Sequence, residues 1–484
     1  MDTPVTDPAI DKAVEDYITY EPGLMPDLLM PLDAQRNRTS ITANVNTMWV
    51  RIDVPKDAKA GVYPVKVTYK LVADWSTVAP FELSETLYVE VLPAVIPEQK
   101  LIYTRWFYVD CIADYHKVEV YSEKHWELIE KYIATAADTG INMILVPTHT
   151  PPLDTAIGTK RTCVQLVEIE KKGDTYEFNF DKFHRFIEIC KKHGIKYFEM
   201  AHMFSQWGAK CSPNIMVTEN GVKDYLFSWD VAADSDLYIN FLKQYLAAIC
   251  AQLEVEGISE NTYFHISDEP TLESMETYKT ASDLIRPMLK GSKTFDALSQ
   301  IEFYEKGLVE CPVTAVNHIA PFLEKNIPNQ WAYYCVGQQR LVTNSFLANP
   351  SYRTRIAGFQ MYRYDIKGFL QWGYNFYNSR VSLYPIDPYT TTSSDGCFPS
   401  GDGFNVYPGQ DTVYTSLRCE VFYDAIQDMM VCCALEALIG REAVEKMIDD
   451  AAGYQLTFDK YPRCSKYADD LRAAMIAKIK ELTK

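Results

Sequence analysis

From Leu101 onward, short apolar runs alternate with amphipathic helical patterns, and that alternation constrains the fold more than any other feature of the chain. Leu101–Tyr108, Asn142–Val146, Lys196–Met200 and Thr262–Ile266 read as strands, followed by Lys293–Ala297, Val313–Val316, Trp331–Cys335 and Gly368–Trp372. Between them, Glu123–Thr139 places Trp126, Ile129, Ile133 and Ala137 near one helical face and ends at Gly140. Asp181 opens a helix carrying Phe183, Phe186, Ile187 and Cys190, which stops at Gly194, and Leu237–Leu253 reads as another. Repeated strand–helix units of this number predict a (β/α)8 TIM-like barrel rather than an open sheet. The fifth and sixth strands carry the weakest pattern.

The flanks follow different rhythms. In Met48–Val54, Val65–Leu71 and Leu87–Val91, apolar side chains fall on alternate positions, as in antiparallel strands with one polar face. The segment 1–98 is therefore expected to be an N-terminal antiparallel β-sandwich, with Pro93 and Pro97 marking its exit. The catalytic barrel is expected to occupy 99–416. Arg418–Leu438, Arg441–Asp450 and Lys466–Leu482 predict C-terminal helices over 417–484, packed on the barrel.

Composition excludes several partners. The chain has 484 residues, and 47 Lys and Arg against 65 Asp and Glu leave a net charge of −18, without a basic cluster that could neutralise phosphates. No nucleic acid or membrane partner is expected, and the richest apolar stretch, Met429–Gly440, is interrupted by Glu436. The first residues lack a basic segment followed by an apolar one, so no secretory signal is read and a cytoplasmic location is expected. Twelve cysteines are scattered from Cys111 to Cys464 without a CxxC, which suits reduced, buried thiols. Oligomeric state is left open.

Familiar catalytic signatures are missing. There is no HExxH, GxSxG or GxxxxGK[ST], and the histidines lack metal-ligand spacing, so neither a metal nor a cofactor is expected. His125 and His184 read as exposed helix positions, and His193 as part of a last helical turn. What stands out is Phe264-His265-Ile266-Ser267-Asp268-Glu269-Pro270, at the C-terminal end of the fourth strand, where barrels of this kind hold their chemistry. By spacing alone, Asp268 or Thr271 could equally cap the following helix. The other reading is a carboxylate pair for glycoside cleavage, which requires an acid for the leaving oxygen and a means of stabilising an oxocarbenium-like centre. On a regular strand the two would point to opposite faces, so the pair works only if the strand has ended and the backbone turns. Pro270 predicts an extended Glu269. Adjacent carboxylates suit a substrate-assisted variant, in which a 2-acetamido oxygen attacks, one carboxylate orients the amide and the other is acid, then base.

Aromatics gather at the expected strand ends: Trp106 and Phe107 after the first, His202 and Trp207 after the third, Trp331, Tyr333 and Tyr334 on the seventh, and Trp372, Tyr374, Phe376 and Tyr377 after the eighth. Flat rings stack on the C–H faces of sugars, although any one of them taken singly is better read as core. Of Tyr333 and Tyr334, one must point away from the interior. The candidate sugar-contacting set is Trp106, Asp110, His202, Trp207, Trp331, Tyr333, Trp372, Asn375 and Asp402.

The 264–270 stretch resembles the catalytic motif of glycoside hydrolase family 123, the β-N-acetylgalactosaminidases, and their uncharacterised relatives. So do Trp106-Phe107-Tyr108-Val109-Asp110-Cys111, His202-Met203-Phe204-Ser205-Gln206-Trp207-Gly208-Ala209, Gln371-Trp372-Gly373-Tyr374-Asn375, Gly401-Asp402-Gly403-Phe404 and Ser416-Leu417-Arg418-Cys419-Glu420. The resemblance implies an exo-acting, retaining, substrate-assisted hydrolase without a metal, taking a small glycan with terminal β-linked N-acetylgalactosamine. It implies Asp268 as the residue that orients and polarises the acetamido group, and Glu269 as general acid/base with a raised proton affinity. Two alternatives remain: a sugar-binding protein that lost turnover, and an exo-glycosidase for a sugar without an acetamido group.

Overall fold

A computed structural model describes residues 2–5, 16–32, 47–71 and 79–483. Eight parallel strands close into a barrel: β1 (Ile102–Arg105), β2 (Met143–Val146), β3 (Tyr197–Met200), β4 (Thr262–Phe264), β5 (Lys293–Leu298), β6 (Cys311–Ala315), β7 (Trp331–Tyr333) and β8 (Gly368–Gln371). Each strand pairs with the next in sequence, and β8 returns to β1. All eight expected strands form, the weakly patterned fifth and sixth included. They are buried on both faces, which is why they read as continuous apolar runs.

Helices surround the strands, and their ends show why they start where they do. Ser122, Ser235 and Ser416 each turn a hydroxyl back onto a backbone N–H of the first turn of Glu123–Asp138, Asp236–Glu256 and Leu417–Ile439. Trp126, Ile129, Ile133 and Ala136 bury the inward face of the first of these. His125 differs from the exposed position expected of it. It is wholly buried, with Nε2 3.2 Å from the Val109 carbonyl oxygen. Two hairpins that the strand–helix rhythm does not announce lie in the connections after β2 and β3. Glu168–Lys172 with Thr175–Asn179, and Ile215–Glu219 with Val222–Phe227, join into one four-stranded sheet.

The N-terminal sandwich is present only in part: among the described residues Asp2–Val5 pairs with Gly23–Pro26 in one small antiparallel sheet, and a second pair stands apart from it. Gly61–Leu71 and Phe81–Val91 form a two-stranded antiparallel hairpin, and Met48–Val54 is not a strand. Alternation marks a two-faced strand but needs a neighbouring ladder to become one. Here Arg51 ties the 48–54 segment to the barrel instead, reaching Asp138 at 2.8 Å. The hairpin's apolar side, with Tyr63, Leu83 and Leu87, stays exposed among the described residues. Further upstream, Asp27 is buried against Arg418, with oxygens 3.1 and 3.0 Å from Nε and Nη2. Arg418 in turn donates to the carbonyls of Gly401 and Phe404, and so holds the loop that carries Asp402.

The C-terminal helices form as Leu417–Ile439, Arg441–Ala452 and Ser465–Leu482. Leu417–Ile439 packs on Ala357–Arg363 so closely that a Cβ on Gly358 would sit 2.0 Å from the Ala425 carbonyl oxygen. The described helices include none long and apolar enough to cross a membrane. All twelve cysteines are free. The backbone contact at Gly358 yields a stability prediction. Gly358→Ala should lower stability by at least about 1–3 kcal/mol, the usual cost of overpacking. Gly23→Ala, where the added Cβ meets nothing within 4 Å, should stay within about 0.5 kcal/mol of the parent. Denaturant unfolding of both variants checks the contrast.

Candidate active site

The site grows from a charged cluster inside the barrel. The Thr104 hydroxyl donates to Glu199 from β1 to β3, skipping β2, so the bond crosses the interior. Trp106 Nε1 donates to the other Glu199 oxygen at 3.2 Å. His265, directly after β4, lies between two carboxylates, 2.8 Å from Glu199 and 3.2 Å from Asp296. All three are wholly buried. Burial alone would lower the affinity of His265 for its proton; hydrogen bonds and charge from the two carboxylates overcome that and push it up to about 9. The ring is therefore an imidazolium at neutral pH. His202 stacks on it with centroids 3.9 Å apart and planes 10° apart. Burial, with the His265 charge behind it, keeps His202 neutral.

Asp296 carries this anchor to the catalytic loop. Its oxygens accept the backbone N–H of Ile266 at 3.1 Å and of Ser267 at 3.4 Å, and the Tyr278 hydroxyl. The two residues before Asp268 are thus pinned. Asp268 does not cap the next helical segment. Thr271 does so, in a reciprocal arrangement with Ser274, and this leaves the Asp268 carboxyl free for another task. Gln206 takes it up, with Nε2 donating to Asp268 Oδ2 at 2.6 Å. The Asp154 N–H donates to Gln206 Oε1 at 2.7 Å, which fixes the amide so that its NH2 side faces the carboxyl. Burial first, and the neighbouring Glu269 charge second, raise Asp268 well above the usual carboxylate range.

Glu269 is not extended, contrary to the expectation from Pro270. Its φ is +43°, in the left-handed region. Strand β4 has ended at Phe264, and the Glu269 N–H donates to the Ala297 carbonyl at the end of β5 at 3.1 Å, so the chain must turn there. A non-glycine residue held so costs roughly 1–2 kcal/mol. The turn separates the two carboxyls. Tyr333, on β7, donates its hydroxyl to Glu269 Oε1 at 2.7 Å. Burial and the Glu269 charge hold that phenol well above its ordinary value, so it stays a donor. Tyr334 points the other way, onto Phe369 and Phe422. Cys335 Sγ lies 3.9 Å from the same Glu269 oxygen.

The remaining candidates divide by what they touch. Trp372 donates Nε1 to Asp402 Oδ2 at 2.8 Å, and burial pushes Asp402 up to about 7. Trp106 meets His202 and His265 edge-on. His202 has both ring nitrogens without a hydrogen-bond partner among the described residues, which leaves it unused polar capacity. Trp207 is half-exposed, and its backbone N–H donates to the Asp268 carbonyl at 3.2 Å. Three candidates carry structural work instead of a free face. Asp110 is buried with both oxygens 2.8 Å from Arg161. Trp331 fills the barrel floor against Tyr263, Phe295 and the missing side chain of Gly368. Asn375 spends its amide on the Tyr108 N–H and carbonyl.

His202, His265 and Asp296 have the composition of a metal site. The geometry opposes one. Parallel stacked rings send their in-plane lone pairs side by side rather than to one point, and both His265 ring nitrogens are already bonded to carboxylates. A cleft of about 1130 Å³ between the loop after β6 and the C-terminal helices contains none of the candidate residues. Two of its arginines, Arg363 and Arg441, are paired with Glu445.

The glycoside hydrolase 123 catalytic-domain model matches residues 106–435. The chain belongs to glycoside hydrolase family 123. It is similar in structure to a family 123 glycoside hydrolase from Clostridium perfringens, at 17% identity and TM-score 0.68, over 99% of this chain and 84% of that one. A family 5 mannosidase from Rhizomucor miehei aligns at 11% identity and TM-score 0.40, over 74% of this chain and 97% of that one. No curated protein sequence matches the chain. Sequence reasoning missed Gln206, His265 with its carboxylates Glu199 and Asp296, and Cys335 as parts of this family 123 site. Gln206 and His265 lay inside the stretches that carry the resemblance. Asp296 had no signal beyond a charge in an apolar run.

The raised Asp268 predicts a pH-dependent cost. Between the unfolded value near 3.9 and its raised folded value, the folded chain holds a proton that the unfolded chain has released. Stability from this group is therefore full below about pH 4, falls as pH rises through that window, and stays reduced above it. Asp268→Asn should melt higher than the parent at pH 8, with the gap closing by pH 4. Calorimetry at both values tests this, and a gap independent of pH contradicts it.

Proposed function

We propose that this family 123 hydrolase is exo-acting and retaining, and releases terminal β-linked N-acetylgalactosamine with help from the substrate's own 2-acetamido group. The observation that carries the reading is the separation of two adjacent carboxyls into different surroundings, Asp268 buried on Gln206 and Glu269 turned onto Tyr333. An inverting pair needs room for a water between carboxyls on opposite sides of the sugar, and a direct nucleophile needs its partner across the bond. Neighbours in sequence supply neither, but they can serve two atoms of one sugar, its amide and its glycosidic oxygen.

In the first step Glu269 gives its proton to the glycosidic oxygen as the bond from C1 breaks. The acetamido oxygen forms a bond to C1, and the amide N–H leans on Asp268, which stabilises the developing positive charge. In the second step water attacks C1, Glu269 takes the water proton, and the bond from the amide oxygen to C1 breaks. The sugar leaves with its anomeric configuration retained. Asp268 must be ionised while Glu269 holds the proton. Burial is the larger cause of the raised Asp268 and the Glu269 charge the second, so protonating Glu269 removes the second, and the amide N–H of the sugar offsets the first by donating to the ionised form. Tyr333 keeps a donor on Glu269 whenever that residue is charged.

Hydrolysis of glycolipid glycans is ascribed to the Clostridium perfringens relative. It supports a glycan of that kind as the substrate class, with sugar recognition shared by Trp372, Asp402 and His202.

The test compares the parent with Glu269→Gln on nitrophenyl β-N-acetylgalactosaminide, the corresponding glucosaminide and a natural disaccharide. The parent should release nitrophenol from the galactosaminide. The variant should lose about 10²–10⁴-fold on the disaccharide and less on the nitrophenyl glycoside, whose leaving group needs little acid help. A thiazoline analogue of the cyclised intermediate should inhibit. Turnover that thiazoline leaves untouched would point to a sugar without an acetamido group. Folded parent silent on all substrates between about pH 4 and 8 would leave a sugar-binding protein.

A further inference from the structure

Of the tryptophans described in and after the barrel strands, Trp106, Trp126, Trp331 and Trp372 are buried and Trp229 is partly buried; Trp207 alone is exposed, at 50%. Its indole makes no ring contact and no hydrogen bond among the described residues. An exposed indole is usually mobile or covered by a partner, but the backbone that carries this one is fixed from both sides. Trp207, Gly208 and Ala209 have φ values of +58°, +130° and +53° in succession. Gly208 is needed there, because a Cβ would stand 3.0 Å from that of Ser274. Thr277 donates its hydroxyl to the Gly208 carbonyl at 2.6 Å. The Ala209 N–H donates to the Ser205 carbonyl at 3.2 Å, and Ala209 itself is buried. On the other side, the Trp207 N–H is bonded to the Asp268 carbonyl, and Gln206 grips the Asp268 carboxyl. The backbone is thus bolted to the catalytic loop by the same strained turn that holds the ring out in solvent.

Strain of this kind persists only where the surroundings over-determine it, and here it holds an exposed indole on the residue whose backbone is bonded to Asp268. The deep end of the mouth is occupied by buried groups, Trp372 with Asp402 and Tyr333 with Glu269. A terminal sugar positioned over Asp268 and Glu269 would leave the rest of the glycan to be met by exposed residues next to that loop, and Trp207, whose N–H is bonded to the Asp268 carbonyl, is one.

We infer that Trp207 is the platform of a leaving-group subsite, stacking the pyranose ring to which the terminal N-acetylhexosamine is attached. This rests on the glycosidase reading of the same site and adds to it a preference for a second sugar. The site should favour a glycan over a simple aglycone, because a ring face is what an indole recognises.

Two substrates separate this from a role in shaping the Asp268 loop. One is a disaccharide of β-linked N-acetylgalactosamine on galactose, and the other is N-acetyl-β-galactosaminyl fluoride, which has no leaving sugar. Trp207→Ala should lower kcat/KM about tenfold on the disaccharide and leave the fluoride within about twofold. Trp207→Phe should recover most of the loss, and thermal melting should show both variants folded. Equal losses on both substrates would make Trp207 a prop for Asp268, and no loss on either would leave no subsite; each overturns the inference. A parent that hydrolyses neither substrate would instead overturn the glycosidase reading, and the subsite with it.

Discussion

The buried His265 imidazolium, flanked by Glu199 and Asp296, is the interaction on which the active site depends. It spans β3, β4 and β5 within the barrel, and its three members are fully removed from water. Removing one partner from such a cluster leaves an uncompensated buried charge, a loss of about 3–5 kcal/mol. The remaining bonds are satisfied by Thr104 and Trp106 on Glu199 and by Tyr278 on Asp296, so the polar network is closed on nearly every side. Because Asp296 also accepts the N–H groups of Ile266 and Ser267, the cluster places the backbone immediately before Asp268.

From that anchor the catalytic loop is built under constraint. Glu269 is turned into the left-handed region by its bond to Ala297, and Trp207 by its bond to Asp268. Two strained residues joined by one pair of hydrogen-bonded segments tie a buried carboxyl, a carboxyl held by a phenol and an exposed indole to one loop. Elsewhere the scaffold spends charged groups on position alone. Arg161 consumes Asp110, and Arg418 joins Asp27 to the loop of Asp402. Asp402 then meets Trp372 in surroundings that hold its proton to about pH 7.

The barrel was legible because parallel strands buried on both faces read as apolar runs with helices between, and all eight lie where those runs fall. The N-terminal sandwich was not, since the alternation in Met48–Val54 and Gly61–Leu71 marks a two-faced strand without saying whether anything covers it. In the site, Asp268 and Glu269 were visible because two carboxyls before a proline at a strand end are locally distinctive. The left-handed turn at Glu269 was not, because it is imposed by Ala297 from the next strand and overrides the local preference set by Pro270. Asp110 looked available in sequence, and its partner Arg161 is too distant along the chain to be paired with it by pattern. His265 read as part of a motif, but its charge comes from Glu199 and Asp296 on two other strands. What tertiary contact decides, local pattern cannot show.

The central claim is that two adjacent carboxyls act through the substrate's own amide, and its stereochemical consequence can be observed directly. Proton NMR of the first product released from a β-linked N-acetylgalactosaminide, recorded before mutarotation, reports the anomer formed at C1. The account predicts β-N-acetylgalactosamine first, with the α-anomer growing in only as the sugar equilibrates. Initial release of the α-anomer would mean a single displacement by water, and would contradict the roles given to Asp268 and Glu269.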